Sequence, residues 1–253
     1  MHAEDYADLY ALEESLWWFV GMREITAALL DPLCPPGRRR DVLDAGCGTG
    51  DMLTRLAPYA GGGTVAGIDV SADALRFCRE RGHRHLALAS ATDLPFADGS
   101  FDLVTSFDVL VQIPGEGADD RAIREMHRVL RPGGVAFVRA AAYGWMKSGH
   151  DEALGTQRRY SLGALAAALE RAGFEVVRAT YANALLLPVA AVRRLVLKRL
   201  GLAARGSDVK PVAAPLNRAL AAVLRGEARV LRRPGAKLPA GLSAICVARR
   251  PGA

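Results

Sequence analysis

Cysteine is scarce in this chain: four in 253 residues, at Cys34, Cys47, Cys78 and Cys246, with no CxxC pair among them. That scatter excludes a zinc site of ordinary spacing and an iron–sulfur cluster, so no metal is expected. Long apolar runs are missing as well. No stretch of about twenty apolar residues occurs, and no bilayer-spanning helix is expected. The N-terminus, MHAEDYADLYALEESLWWF, lacks the basic start and apolar centre of a signal peptide. Together these absences point to a cytoplasmic protein whose thiols stay reduced. There is also no internal repeat and no low-complexity linker, so the chain reads as a single domain.

What is present is enough apolar residue, 51% of the chain, for one large α/β domain with a substantial core. The net charge of +6 is unevenly placed. Much of the excess follows Ala184, at Arg193, Arg194, Lys198, Arg199, Arg232 and Arg233. Such a basic face suits an anionic substrate, a membrane surface or nucleic acid, and equally a solvated surface.

Strand-like and helix-like segments alternate from about residue 38 onward. Strands are expected at Asp41–Ala45, Thr64–Asp69, His85–Ala89, Phe101–Thr105, Val135–Ala140 and Phe174–Ala179, with a last one at Leu242–Ala248. Helices are expected over Asp51–Tyr59, from the Ser71 cap to about Arg81, over Asp119–Leu130, and over Leu162–Ala172. Arg131-Pro132-Gly133-Gly134 reads as a breaker before the fifth strand. This alternation argues for a mostly parallel sheet with helices on both faces, a three-layer α/β/α fold. Residues 1–37 form a helical addition carrying Trp17, Trp18 and Phe19, residues 38–180 the core, residues 181–241 a helical, basic insertion, and residues 242–253 the last strand and tail. The two additions are expected to cover one end of the sheet.

The sharpest signal is Val42-Leu43-Asp44-Ala45-Gly46-Cys47-Gly48-Thr49-Gly50. An apolar strand delivers an acid, then glycines at alternate positions, then a helix. The glycines permit a tight turn and close approach of a ligand to backbone. Asp44 suits an ammonium group and would repel a pyrophosphate. The spacing is GxGxG, with Asp51 where the dinucleotide fingerprint GxGxxG requires its third glycine. A second acid, Asp69 in Gly67-Ile68-Asp69-Val70-Ser71, ends the next strand, where it can accept two hydrogen bonds from a ribose diol.

On these residues the segment from roughly Arg38 to Arg139 resembles the class I S-adenosylmethionine-dependent methyltransferases, in the branch that acts on small molecules. The resemblance continues through Ala91-Thr92-Asp93-Leu94-Pro95-Phe96 and Ser100-Phe101-Asp102-Leu103-Val104. It implies a Rossmann-like, seven-stranded sheet whose last strand runs antiparallel, and S-adenosyl-L-methionine as cofactor. It implies further that Asp44, Ala45, Gly46, Cys47, Gly48, Gly50, Asp69 and Val70 border the cofactor. Asp93 would receive the adenine amino group, with Ala91, Thr92 and Leu94 beside it. In Ser106-Phe107-Asp108-Val109-Leu110-Val111-Gln112-Ile113 the resemblance places Phe107, Asp108 and Val109 at the methyl-transfer site. Many relatives carry histidine at the position of Gln112, so one candidate base is missing here and Gln112 becomes a substrate-facing candidate.

Glu14-Ser15-Leu16-Trp17-Trp18-Phe19-Val20-Gly21-Met22-Arg23 resembles a lid found in part of the same family. On that reading Trp17 and Trp18 roof the pocket, excluding water from the sulfonium, while Arg23 pairs with a carboxylate. The plainer reading is an aromatic helix packed on the sheet. A second cluster follows the fifth strand: Tyr143, Trp145, His150, Arg158, Arg159 and Tyr160. Arginine beside tyrosine suits an anionic or polar substrate. His150, titrating near neutrality, and Tyr160 are the candidate catalytic groups. The plainer reading is that His150 and Arg159 tie the loop down. The leucine-rich, basic stretch after Tyr181 suits a lipid-like anionic substrate or peripheral membrane contact, and suits equally a core-covering helix with snorkelling arginines.

Three functions compete at this point. The first is methyl transfer to oxygen, nitrogen or carbon of a small molecule, in bacterial specialised metabolism. The second is nicotinamide-dependent redox chemistry, which Asp51 and the paired acids disfavour. The third is a cofactor-binding fold-mate that does not methylate. No nucleic-acid partner is expected, because no binding module is recognisable.

Overall fold

The computed structural model describes residues 3–147, 149, 151, 155–192 and 210–252. Seven strands form one sheet in the order β3-β2-β1-β4-β5-β7-β6. They are β1 (Val42–Ala45), β2 (Val65–Asp69), β3 (Leu86–Leu88), β4 (Phe101–Phe107), β5 (Leu130–Ala141), β6 (Glu175–Ala182) and β7 (Ser243–Arg249). β7 runs antiparallel to both of its neighbours, and the other pairings are parallel. The strand order reverses at β1, so the tips of β1 and β4 open onto the crevice where doubly wound sheets bind ligands.

The helices are α1 (Ala3–Leu12), α2 (Trp17–Leu30), α3 (Asp51–Ala60), α4 (Ala72–Glu80), α5 (Ala118–Val129), α6 (Leu162–Arg171) and α7 (Ala214–Leu231). Alternation along the strands sorts them into layers. On β5, Ala136, Val138 and Ala140 face a core shared with Ile123 and Met126 of α5 and Leu165 and Leu169 of α6. Val135 and Phe137 face the opposite core, shared with Ile25 and Leu29 of α2, Leu56 of α3, and Leu224 and Leu231 of α7. α4 joins α3 through Leu53, Leu75, Cys47 and Cys78.

Three expectations need correction. The additions at residues 1–37 and 181–241 do more than cover an end of the sheet: α2 and α7 complete a face of it, packed on each other and on β5 and β7. Gly21 is what lets them approach, since a Cβ there would stand 2.3 Å from Cβ of Leu224. Asn217 of α7 also accepts from the Trp17 backbone N–H at 2.7 Å, and its amide donates to the Ser15 carbonyl at 2.9 Å. Leu16 at the α2 cap offers no side-chain bond of its own, so a distant residue satisfies the helix end. Next, Arg131-Pro132-Gly133-Gly134 does not separate α5 from the strand. β5 begins at Leu130, directly after α5, and the turn residues form an irregular lead-in with a register shift against β4. Arg131 anchors it to Asp41 at 2.9 Å and Asp102 at 2.6 Å. Finally, Tyr181 and Ala182 belong to β6 and not to the insertion. Arg193, Arg194, Lys198 and Arg199, on which the membrane and lipid expectations rest, lie outside the described residues. Among the described residues no helix is long and apolar enough to cross a membrane.

The α2–α7 contact is testable. Gly21→Ala gains helix propensity but forces a methyl into Leu224, and a net loss of about 1–3 kcal/mol is expected in urea unfolding. Leu224→Ala alone should lose about 2–5 kcal/mol. The double variant should lose clearly less than the sum, because the smaller Leu224 replacement makes room for the new methyl.

Candidate cofactor site

A cavity of about 120 Å³ lies over the tips of β1 and β4. Asp44, Gly46, Cys47, Gly48 and Thr49 form its floor, Phe107 and Arg139 one wall, and Leu9, Glu13, Phe19, Met22 and Arg23 its cover. The floor is built by the glycine turn. Gly46 has φ 94°, and a Cβ there would meet Val109 at 2.3 Å, so only glycine lets the β4 tip close on this turn. At Gly48 a Cβ would meet nothing nearer than Leu9 at 4.0 Å, leaving its backbone open for a ligand.

Asp44 is fully buried, and burial pushes its carboxyl up to about 7 although Thr105 donates to Oδ1 at 2.7 Å. A carboxylate so short of water is poised for a cation. Asp69, at the tip of β2, accepts from the Gly48 N–H at 3.0 Å and the Ser71 N–H at 2.9 Å, one on each oxygen. Burial raises its pKa against these bonds. Each carboxylate oxygen retains a second lone pair, which matches two hydroxyls of one ribose. Val70 beside it is 72% exposed, an apolar platform at the same strand tip. An ammonium site, a diol site and an exposed apolar platform therefore run in line along the strand tips, and S-adenosylmethionine fits this donor set. When bound, that cofactor supplies a methyl group already activated on a sulfonium.

Further along the crevice, Asp93 is exposed, and its backbone N–H donates to the Ser90 carbonyl at 3.1 Å. The Leu94 amide is taken by Glu125, at 2.8 Å. Ala91 is buried, and Thr92 bonds Ser90 at 2.8 Å. Ala45 is wholly buried in β1, and Gly50 caps α3 with φ 92°.

The cover differs from the expected lid. Trp17 and Trp18 do not line the cavity; Trp17 packs into the α2–α7 core, and Trp18 stands against Arg139 and Phe19. Arg23 does line it, but its guanidinium is engaged by protein: Asp51 at 2.7 Å, the Glu13 carbonyl at 2.9 Å and the Glu14 carbonyl at 2.8 Å. The carboxylate it pairs with in this structure is thus Asp51. Glu13, at 6% exposure, accepts from Thr49 of the glycine turn and from Arg81 of α4 at 2.9 Å. Arg81 also lies over the Tyr10 ring, which stacks on Phe77. These contacts hold α1 across the mouth of the site. Burial pushes the Glu13 carboxyl up to about 7 despite Arg81 and Thr49.

The expected substrate cluster is not brought to this cavity. Tyr160 is buried and donates to Asp119 of α5, which with burial raises its pKa well beyond the ordinary phenol. Arg159 forms a two-pronged, buried pair with Asp151, at 2.7 and 3.1 Å, and donates to the Ala142 carbonyl at 2.8 Å. It ties the loop down. Arg158 is spent on Asp119 and on the carbonyls of Leu110 and Gly115. Tyr143, at φ 59°, stacks on Tyr181 and Trp145, and Trp145 is 56% exposed. Gln112 lies outside the lining residues, in the turn after β4. His150 lies outside the described residues. Sequence reasoning missed Glu13, Thr49, Arg81 and Arg139. Only the register of α1 over the turn and of β5 beside β4 brings them together, and no local motif marks either.

Residues 43–138 match the model of a methyltransferase-domain family. A methyltransferase of Streptomyces halstedii is 36% identical over 126 residues, 42% of this chain and 44% of that protein. A ubiquinone/menaquinone biosynthesis C-methyltransferase of Vibrio campbellii is 36% identical over 111 residues, 41% of each. The matched stretches thus span under half the length of these relatives. An S-adenosylmethionine-dependent methyltransferase structure from Mesorhizobium loti superposes with a TM-score of 0.58 at 20% identity, over 89% of this chain and 98% of that one, and shows the shared fold. Residues 43–138 are thus similar to a methyltransferase domain, and the chain shares the fold of S-adenosylmethionine-dependent methyltransferase structures.

Asp44 and Glu13 both have carboxyls raised by burial, to about 7. The folded state therefore favours their protonated forms. The stability this gives is present below the unfolded-state pKa, near 4, and is lost as pH climbs through about 7. The melting temperature should fall between pH 5 and pH 8. Asp44→Asn should raise it at pH 8 by roughly 3–8 °C while abolishing binding of S-adenosylhomocysteine. Thermal scans with and without that ligand check both parts.

Proposed function

We propose that this protein transfers the methyl group of S-adenosylmethionine to a small-molecule acceptor in bacterial biosynthesis, within the cytoplasm. The observation that carries the reading is the pairing of buried Asp44 with Asp69 around an open glycine turn at adjacent strand tips. A pyrophosphate has no place there. Asp51 sits in the first turn of α3, where the dinucleotide fingerprint carries its third glycine for close helix–strand packing. The matching domains in a quinone-biosynthesis methyltransferase and in a Streptomyces methyltransferase support a small-molecule acceptor. Free thiols at Cys47 and Cys78, 3.8 Å apart and unbridged, suit a reducing compartment.

With the sulfonium already activated, the protein's contribution is positioning and exclusion of water. Asp44 would hold the ammonium, Asp69 the ribose, and α1 with Phe19 and Met22 would cover the bound nucleoside.

Calorimetric titration tests the reading. S-adenosylmethionine and S-adenosylhomocysteine should bind and NADH should not. Asp69→Ala should weaken both sulfur nucleosides by about tenfold or more, the scale of a hydrogen bond to a charged group. Binding of NADH in place of the sulfur nucleosides would overturn it. Transfer of an isotopically labelled methyl group to an acceptor then separates a methyltransferase from a fold-mate that only binds the cofactor.

A further inference from the structure

Resting on the methyl-transfer reading, we infer that Arg139 is the acceptor-binding residue of this site and that the acceptor carries a carboxylate. Arg139 stands at the end of β5, 7% exposed, and lines the cavity. Its position is over-determined. Nε donates to Asp108 Oδ2 at 2.8 Å, and the Asp108 backbone N–H donates to the Arg139 carbonyl at 2.9 Å. The guanidinium lies 4.8 Å from the Trp18 ring centre and 5.1 Å from that of Phe107. Two aromatic faces and a carboxylate hold it flat without using its outer edge. Among the described residues neither terminal nitrogen has a hydrogen-bond partner, and neither is a sealed, buried orphan. That edge therefore faces the cavity, with donors set for a planar two-oxygen anion.

The count of donors points the same way, since Asp108 balances the charge of Arg139 while engaging only Nε. Of the two arginines lining the cavity, Arg23 is neutralised by Asp51 and by two carbonyls. Arg81 behind the cover is taken by Glu13 and Glu14. Once Asp44 holds the cofactor's ammonium, Arg139 is the lining cation with donors to spare. A single guanidinium edge among Phe107, Met22, Phe19 and Leu9 fits a monoanion on an apolar body better than a doubly charged phosphate.

The cofactor's own carboxylate is less well placed for it. That group shares one carbon with the ammonium assigned to Asp44. Asp44 is on β1 and Arg139 on β5, with β4 between them, so the strands are about 10 Å apart, although the long Arg139 side chain lines the same cavity and its charge acts on Asp44. Arg139 is also two residues further toward the tip than Phe137, the residue level with Asp44 through Thr105. This places it on the β4–β5 side of the crevice, away from the glycine turn.

The test uses the full chain saturated with S-adenosylhomocysteine, titrated calorimetrically with benzoate and 4-phenylbutanoate and with the primary amide of each. The parent protein should bind the carboxylates about tenfold or more tighter than the amides. Arg139→Gln should erase that preference, and Arg139→Lys, which keeps the charge but loses the fork, should keep part of it. Arg23→Gln should leave the preference intact. Equal binding of acid and amide, no binding of either carboxylate, or a preference that survives Arg139→Gln or disappears with Arg23→Gln would overturn the assignment. Should Arg139→Gln fail to fold, a preference unchanged in Arg139→Lys would overturn it equally, since a fork-dependent grip must weaken. Failure of S-adenosylhomocysteine to saturate the parent would instead overturn the cofactor reading on which this rests.

Discussion

A carboxylate held in a place without water governs this molecule. Asp44 ends β1 under the glycine turn, and its one hydroxyl partner, Thr105, offsets little of the cost of burying charge. On the proposed function, an arriving cation would offset that cost. Everything around it follows from giving that cation a route and a shape: glycines that leave the backbone bare, a β4 tip that closes on Gly46 through Val109, and a cover that comes from elsewhere in the chain. On the same proposal, the stability forgone in the free protein would become binding energy when an ammonium restores the charge.

The cover is built on the same logic at one remove. Glu13, directly after α1, is a second acid pushed toward neutrality by burial, and it fastens the helix to Thr49 in the floor and to Arg81 at the C-cap of α4. A cavity of about 120 Å³ is smaller than the roughly 300–1,000 Å³ usual for small-molecule sites. Asp69 and Val70 lie beyond its lining, and the polar, aromatic contact that α1 makes with α4 is of a kind that opens more readily than the α2–α7 seam. That seam, with Gly21 against Leu224, is core: it completes a face of the sheet and holds Trp18 over Arg139. One N-terminal segment thus divides into a cover held by polar and aromatic contacts and a layer held by core packing.

The glycine turn and its two acids were legible in the sequence, because they are local. Asp44 through Gly50 are contiguous, Asp69 ends the next strand, and the turn needs glycine for steric reasons that a single peptide segment already states. The seven-stranded sheet was legible for the same reason, since strand and helix periods alternate along the chain. The acceptor half was not. Arg158, Arg159 and Tyr160 look like a polar cluster in sequence, yet each is spent on a partner far along the chain or across its own loop: Asp119, Asp151, Asp119 again. A charged side chain announces its charge in the sequence but not whether that charge is already satisfied.

By itself, then, the amino-acid sequence determined the layered α/β architecture and the acid–glycine turn of the candidate site, because both arise from short-range steric and hydrogen-bonding rules. Tertiary structure alone decided which arginine keeps a free edge, which helix is cover and which is core, and that the glycine turn is bolted to α1 through Glu13. Those outcomes depend on pairings between residues tens to hundreds of positions apart, such as Trp18 with Arg139 and Trp17 with Asn217. Such pairings are set by how faces of the sheet are covered, a property of the whole packed chain that no window of sequence contains.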